Sequence, residues 1–596
     1  LTQTITQEIK MFRHETKLRS RLHLVLFISL IPISLSLATN SSTSNTNNNN
    51  NNPCKLSLYP KLCRSMLSTF RSFSPSTNLY DYGKISIKQS LKLARRLSKS
   101  INYYLTHHNY ISKLNPKEIG GLRDCHELND LNVDYLETIS NELELASTLN
   151  DELVERVSCL LSGVVTNQQT CSDGLVEIGS GIFGSDLFVP MTNATEVYSV
   201  SLGLVKVALG RNLKKHTRKV KDGGAGSSRL REPLEALIKV LRKRPCTSAS
   251  CPSKERVLLD NAGQEGLLIN STVYVNPYYN ATNSFPSIGD ALAAAPNNSN
   301  LEGGYFVIYV VEGVYEEYVV IPKYKKNIML LGEGINRTII TGNHSFVDGW
   351  TTFNSSSFAV FGERFVAVDI TFRNTAGPEK HQAVAVRNSA DLSSFYRCSF
   401  EGYQDTLYAH NLRQFYRDCD IFGTVDFIFG NAIAVFQNCN LYARKPLPNQ
   451  KNAFTAQGRT DPNQESGISI HNCTIEAAPD LAQDSNSSLT YLGRPWKAYS
   501  RTVIMQSYIG GVVDQAGWLE WNGTTGLDTL YYGEFENYGP GANTSTRVQW
   551  PGYRLMNVTE AVNFTVYNFT MGDTWLPLAD IPFTGGLLQH NNSFIN

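Results

Sequence analysis

Apolar residues recur three and four positions apart through ISIKQSLKLARRLSKSINYYL (85–105) and VDYLETISNELELAS (133–147), and Gly and Pro are sparse within these runs. That spacing lines apolar side chains along one face of a helix, and the succession of such segments predicts a bundle of four or more helices over 53–210. After Val273 the pattern changes to short runs rich in β-branched and aromatic residues, such as YFVIYVVEGVY (305–315), SFAVFGERFVAVDITFRN (357–374) and AIAVFQNCNLYAR (432–444), broken by Gly and Asn. These read as many short strands. FYRCSFEGYQDTLY aligns with FYRDCDIFGTVDFIF when Cys398 is laid on Cys419, a shift of 21; Cys439 follows Cys419 by 20, and Cys473 follows Cys439 by 34. A repeat near 20 residues fits one coil of a parallel β-helix, the longer step being a coil with an inserted loop. Hairpins of a β-sandwich also suit strands at this spacing.

Charge sharpens the division. Residues 1–259 hold 34 basic and 22 acidic residues, and residues 260–596 hold 20 basic and 31 acidic, so a net charge of +1 conceals halves of +12 and −11. Halves of opposite sign attract, so contact between the two domains is expected. Residues 211–259 are basic and contain Gly and Ser, as a protease-accessible linker does. LRKR (241–244) and KERVLL (254–259) are its processing candidates, and Cys246 and Cys251 form either a local disulfide or a pair of free thiols.

At the other end, Met11 is a plausible start, followed by Arg13, Lys17, Arg19 and Arg21, an apolar run from Leu22 to Leu37, and small residues Ser36 and Ala38. Residues 1–38 thus read as an extension and signal peptide, with a signal anchor as the alternative. Residues 39–52 are an Asn/Ser/Thr-rich tether. Export fits the eleven Cys and the sequons at Asn193, Asn280, Asn336, Asn354, Asn522 and Asn563. No nucleic-acid partner is expected, and no stable membrane association once the signal is removed.

The repeat also places chemistry. Asp405 lies seven residues after Cys398 and Asp426 seven after Cys419, so on adjacent coils the two carboxylates stack in register. Two like charges that close cannot both ionise freely, which leaves a general acid beside an anionic nucleophile or base. Stacked Asp residues also cap the turns of solenoids. The spacing of 20 brings Cys419 and Cys439 within bridging range, predicting a Cys419–Cys439 disulfide, with Cys398 as competitor for Cys419.

GVYEEY (313–318), QAVAVR (382–387), GYQDTLY (402–408), GTVDFIFG (423–430) and LGRPW (492–496) resemble, in order, the five signature segments of pectin methylesterases. The resemblance implies a right-handed parallel β-helix, here over 260–596, that hydrolyses methyl esters of homogalacturonan without metal or other cofactor in the cell wall or apoplast. It implies Asp426 as nucleophile, Asp405 as proton donor, Gln404 and Gln382 as stabilisers of the oxyanion, Arg494 as the residue that orients the carboxylate and contacts substrate, Trp496 as a sugar platform and Thr352 as a further substrate contact. Residues 50–210 resemble the pectin methylesterase and invertase inhibitor family, which implies disulfides Cys54–Cys63 and Cys125–Cys171 and an autoinhibitory or targeting pro-region. Cys159 departs from that pattern as an odd buried or reactive thiol, and 274–284 lacks the usual Gly-rich stretch, leaving the first coil open. Two other readings compete: a chain-cleaving pectinase on the same scaffold, and a catalytically weak wall-binding or inhibitor protein.

Overall fold

The computed structural model describes residues 52–73, 78–146, 150–179, 184–210, 232–243, 267–276, 284–484 and 488–589. The signal segment, nearly all of the tether, KERVLL, Cys246, Cys251 and Asn280 lie outside these residues. The chain from Pro53 onward belongs to one compact unit.

Five long helices come first among the described residues: α1 (Pro60–Phe73), α2 (Leu79–Thr106), α3 (Pro116–Leu145), α4 (Asp151–Glu177) and α5 (Gly184–Gly210), with a single-turn helix, His108–Ile111, between α2 and α3. Local sequence sets their starts. Asn78 and Asn115 each accept a hydrogen bond from the N3 backbone amide while the N3 carboxylate, Asp81 or Glu118, accepts one from the N-cap backbone amide, and Asn150 caps α4. The three- and four-residue spacing in α2 buries Ile87, Leu91, Ala94, Leu97 and Ile101 in the core shared by these helices. Cys54–Cys63 pins the segment before α1, and Cys125–Cys171 ties α3 to α4. Cys159 is buried on α4 with its thiol 3.8 Å from Asp391 Oδ1, and burial pushes it well above the ordinary thiol range. It is a packed residue, not a reactive one.

Inside the stretch read as a linker stands a sixth helix, α6 (Glu232–Lys243). Leu234, Leu237, Ile238 and Leu241 form its buried face, while Arg242 pairs with Asp369 and Glu235 with Arg397. An apolar face at helical spacing buries whatever the net charge of the segment, so the linker reading fails over these twelve residues.

The remainder is a parallel β-helix. Three sheets of twelve, eight and seven strands run along it among the described residues, and every strand pair in them is parallel. Successive coils step by the predicted intervals: Phe395 pairs with Tyr416, Tyr416 with Phe436, and Phe436 with Ile470, shifts of 21, 20 and 34. Inside the coil their rings stack, Phe395 on Tyr416 at 5.3 Å and Tyr416 on Phe436 at 4.5 Å between centroids. One left-handed residue turns each of these coils from the first sheet to the second: Asp369, Arg397, Asp418, Asn438 and Asn472 all have φ between 50° and 60°. At the start of the β-helix the strand Ile269–Val275 pairs with Tyr305–Val310, and its Tyr274 and Val275 also pair with Ser284 and Phe285; residues 277–283 lie outside the described residues.

The residue after that turn is Cys398, Cys419, Cys439 or Cys473 in four successive coils, and all four thiols are buried and unbridged. The expected Cys419–Cys439 disulfide is therefore absent. Stacked residues of a parallel ladder lie about 4.8 Å apart with parallel side chains, beyond the Cβ separation of a bridge. Each thiol turns to backbone oxygens instead, Cys419 to Phe395 and Arg417, Cys439 to Tyr416 and Gln437.

Candidate active site

Asp405 sits between strands Ser399–Glu401 and Leu407–Ala409, and Asp426 between Asp420–Gly423 and Ile428–Gly430. Both flanking strand pairs keep the shift of 21, Ser399 on Asp420 and Leu407 on Ile428, so the two Asp residues occupy equivalent corners of adjacent coils. The Asp405 amide donates to Val425 O at 3.1 Å. Both residues adopt left-handed backbone, with φ of 64° and 54°. Non-glycine residues rarely take this conformation, and where strain of this kind persists the surroundings enforce it.

Both carboxyls are buried, yet their surroundings differ. Arg494 grips Asp426 with two hydrogen bonds, Nε to Oδ1 and Nη2 to Oδ2, each 2.7 Å. Burial pushes the Asp426 carboxyl up, while the bonds and charge of Arg494 pull the other way. For Asp405 burial is again the largest effect, the charge of Asp426 and then of Glu177 adds to it, and only the charge of Arg494 opposes, so this carboxyl is held well above the usual carboxylate range. Both carboxyls are raised on balance, but only Asp426 has a bonded cation that favours its charged form, while its charge and that of Glu177 favour the protonated form of Asp405.

Around the pair lies a cavity of about 400 Å³ lined also by Gln382, Gln404, Thr352, Trp496, Tyr408, Phe429, Lys497 and Trp521. Each of the seven residues given a catalytic or substrate-binding role by the resemblance lines this one cavity. Gln382 and Gln404 stand on adjacent coils, and the amide of Ala383 donates to Gln404 O at 3.2 Å. The half-buried Trp496 ring packs edge-on against Phe429 at 5.9 Å. Gly458 makes room for it: a Cβ there would stand 2.8 Å from Trp496 Cε3. Sequence reasoning missed Lys497 and Trp521. The Arg494 guanidinium lies 4.4 Å from the centroid of the Trp521 ring, which only the fold could reveal.

The cavity has a second wall, formed by Gly121 and Asp124 of α3 and by Thr170, Asp173, Gly174, Val176 and Glu177 near the end of α4. Asp124 accepts from Thr351 and Asn354, Asp173 pairs with Lys497 at 2.8 Å, and Glu177 accepts from Thr352 Oγ1 at 3.2 Å. Thr170 shares a 2.9 Å bond with the buried His410. Gly163 of α4 has no side chain where a Cβ would meet Leu412 Cδ2 at 2.9 Å. Asn354, expected as a glycan acceptor, is half-buried with its amide held by Asp124, whereas Asn193, Asn336, Asn522 and Asn563 are exposed.

Residues 276–573 match the family model described as pectinesterase, and residues 49–204 match that of the plant invertase/pectin methylesterase inhibitor. A probable pectinesterase/pectinesterase inhibitor 25 of Arabidopsis thaliana is 62% identical over 540 residues, covering 90% of this chain and 86% of that one. The chain belongs to the pectinesterase family. A pectinesterase/pectinesterase inhibitor of Prunus persica, PPE8B, is 45% identical over 469 residues, 78% of this chain and 82% of its own. Among solved structures, the pectin methylesterase from carrot is 51% identical with a TM-score of 0.51, covering 53% of this chain and 97% of its own. The pectinesterase half is thus an ester hydrolase on a parallel β-helix, preceded by an inhibitor-type helical domain. The carrot chain is matched almost whole by little more than half of this one, so in that solved chain the β-helix stands folded without a companion domain.

Proposed function

We propose that this pectinesterase removes methyl esters from homogalacturonan with Asp426 as nucleophile and Asp405 as acid and base, and that its helical domain keeps the site closed in cis. The observation that carries the first part is the bidentate Arg494–Asp426 pair stacked beside a buried Asp405. An Asp426 oxygen attacks the ester carbonyl, and the Gln404 and Gln382 amides, neutral donors that leave the nucleophile charged, receive the oxyanion. The methoxide departs with the Asp405 proton as methanol. Water then attacks the acyl–Asp426 intermediate, returning one proton to Asp405 and releasing the free Asp426 carboxylate and the galacturonic acid, which gives up its remaining proton to solvent and leaves as the carboxylate. Trp496 and Thr352 hold the sugar. A pair of Asp residues served by two amides favours ester hydrolysis over chain cleavage, and a site so fully furnished does not suit a mere wall-binding protein.

Closure in cis is supported by Asp124, Asp173 and Glu177, whose bonds take up Thr351, Asn354, Lys497 and Thr352 at the cavity. The opposed charges of the two halves favour the same arrangement. Export to the cell wall rests on the signal-like segment 1–38; among the described residues no helix is long and apolar enough to cross a membrane.

The test compares the full chain with the isolated 230–596 segment, which keeps α6, on esterified pectin, following methanol, new reducing ends and unsaturated product. The segment should release methanol alone, the full chain much less, and Asp426→Asn in the segment none while its circular dichroism is unchanged. Near-wild-type turnover by Asp426→Asn would sink the nucleophile assignment, and equal rates for segment and full chain would sink closure.

A further inference from the structure

Three flat rings stand outside the cavity: Tyr318 just before the strand Val319–Ile321, and His344 and Trp350 in the long turn before Phe358–Val360. Tyr318 stacks on His344 with 3.6 Å between centroids and His344 on Trp350 with 3.7 Å, the planes only 10° and 15° apart. Gly342 leaves the space that Tyr318 fills, since a Cβ there would stand 2.6 Å from Tyr318 Cε1. The Tyr318 hydroxyl accepts from the Asn343 amide at 3.0 Å and donates to Asn343 Oδ1 at 2.8 Å, which fixes the ring. Tyr318 and Trp350 are nonetheless 44% and 41% exposed with the helical domain in place. One face of the Trp350 indole lies against His344, so the opposite face is the one that solvent meets. An ordered ring stack left facing water marks a binding surface.

Its place in the repeat says what reaches it. Val319 pairs with Phe358, Phe358 with Val386, and Val386 with Leu407, so Tyr318 holds, three coils earlier, the position that Thr406 holds beside Asp405. Trp350 belongs to the coil after that of Tyr318, and the residues that follow it directly, Thr351, Thr352 and Phe353, line the cavity. With adjacent strands about 4.8 Å apart, the stack lies roughly 10–14 Å along the axis from Asp405, on the same row of corners. A polymer with one unit in the cavity and its chain laid along this row meets the open indole face. The helical domain touches only the edge of the turn, where Lys117 of α3 lies 4.8 Å from the Phe346 ring.

The platform carries no charge of its own. Burial pushes His344 below its ordinary range, with the charge of Asp348 opposing, and Asp348 in turn takes up Lys380. In a half of net charge −11, such a face suits a sugar unit whose carboxyl is esterified better than an anionic one. We propose that the Tyr318–His344–Trp350 stack is a second sugar platform, on whose open indole face a methyl-esterified galacturonate unit of the polymer rests, two to three coils from the ester under attack. The choice of polymer rests on the esterase reading above. Because the rings stay exposed beside the closed cavity, the full chain is seated on its substrate before the helical domain leaves.

Affinity electrophoresis of the full chain through gels holding highly methyl-esterified homogalacturonan, polygalacturonate or a soluble uncharged glucan reads binding without reference to turnover. The wild-type chain should be retarded most by the esterified polymer, less by polygalacturonate and not by the glucan. Trp350→Ala should weaken binding to the esterified polymer roughly 10-fold, as loss of an aromatic anchor does, and Trp350→Phe should hold it within about threefold. Tyr538→Ala, which removes an exposed ring elsewhere on the β-helix, should leave it unchanged. Binding by Trp350→Ala within twofold of wild type, an equal loss in Tyr538→Ala, tighter binding to polygalacturonate, or no retardation of the wild-type chain by the esterified polymer overturns the proposal. Retardation that depends on Trp350, together with no methanol release by the 230–596 segment, would instead uphold the platform and sink the esterase reading alone.

Discussion

Replacing Arg494 by Ala tests whether the nucleophile is kept anionic by its partner. The Asp426 side chain is 8% exposed and that of Arg494 24%, and two 2.7 Å bonds join them. Removing one member of a buried ion pair costs about 3–5 kcal/mol, because the other charge stays behind unpaired. Here water can reach the space that the guanidinium vacates, so the lower end applies. About 3 kcal/mol corresponds to roughly 10²-fold in kcat/KM at neutral pH. The sign of the pH effect follows from the opposed causes at Asp426. Burial raises its pKa and Arg494 lowers it, so without Arg494 the proton is held to higher pH. The attacking species is the deprotonated carboxylate, and therefore the acid limb of kcat/KM against pH should move upward, with part of the lost rate recovered on the alkaline side. Loss of the Arg494–Trp521 contact affects KM but does not move that limb. The assay is methanol release by the 230–596 segment across the pH range. A rate within fivefold of wild type at neutral pH, or an acid limb that stays in place or moves down, refutes the reasoning.

Asp124 predicts how closure answers to pH: burial pushes its carboxyl up to about 7, from an ordinary value near 4, although Thr351 bonds its charged form. The closed chain therefore binds a proton that the open one does not, so closure should be tightest in acid and loosen as pH rises from about 4 to about 7; Asp124→Asn should flatten this trend in the ratio of full-chain to segment activity, and an unchanged trend counts against it. Gly458→Ala would place a methyl 2.8 Å from Trp496 Cε3, which the indole must leave. Such overpacking costs about 1–3 kcal/mol, and its lower end, about 1 kcal/mol, corresponds to a KM increase of roughly 5-fold with kcat little altered; Michaelis kinetics unchanged from wild type would show that Trp496 is not the sugar platform.

The site was legible because a parallel coil repeats. Strand residues one coil apart must pair, and an interval of 21 on both sides of the corner carries Asp405 onto Asp426 without further knowledge. The same arithmetic placed Cys419 beside Cys439, and there it misled, since adjacency in a parallel ladder fixes position and leaves the direction of each thiol to its local hydrogen bonds. Helix α6 was hidden for another reason. Its Leu234, Leu237, Ile238 and Leu241 have helical spacing, but within a run of basic, Gly- and Ser-containing sequence the charge pattern outweighed four apolar positions.

Lys497 marks the deeper limit. Its partner Asp173 is 324 residues away on a different architecture, and the two signals that surround it, a Trp platform and an Arg clamp, account for LGRPW without it. Periodicity relates residues that share one repeating frame. It says nothing of a helix laid across that frame, where the contact is set by two surfaces folding separately and meeting once. The catalytic pair is thus written in one half of the chain, whereas the carboxylate that meets the neighbouring cation comes from the other half, on α4.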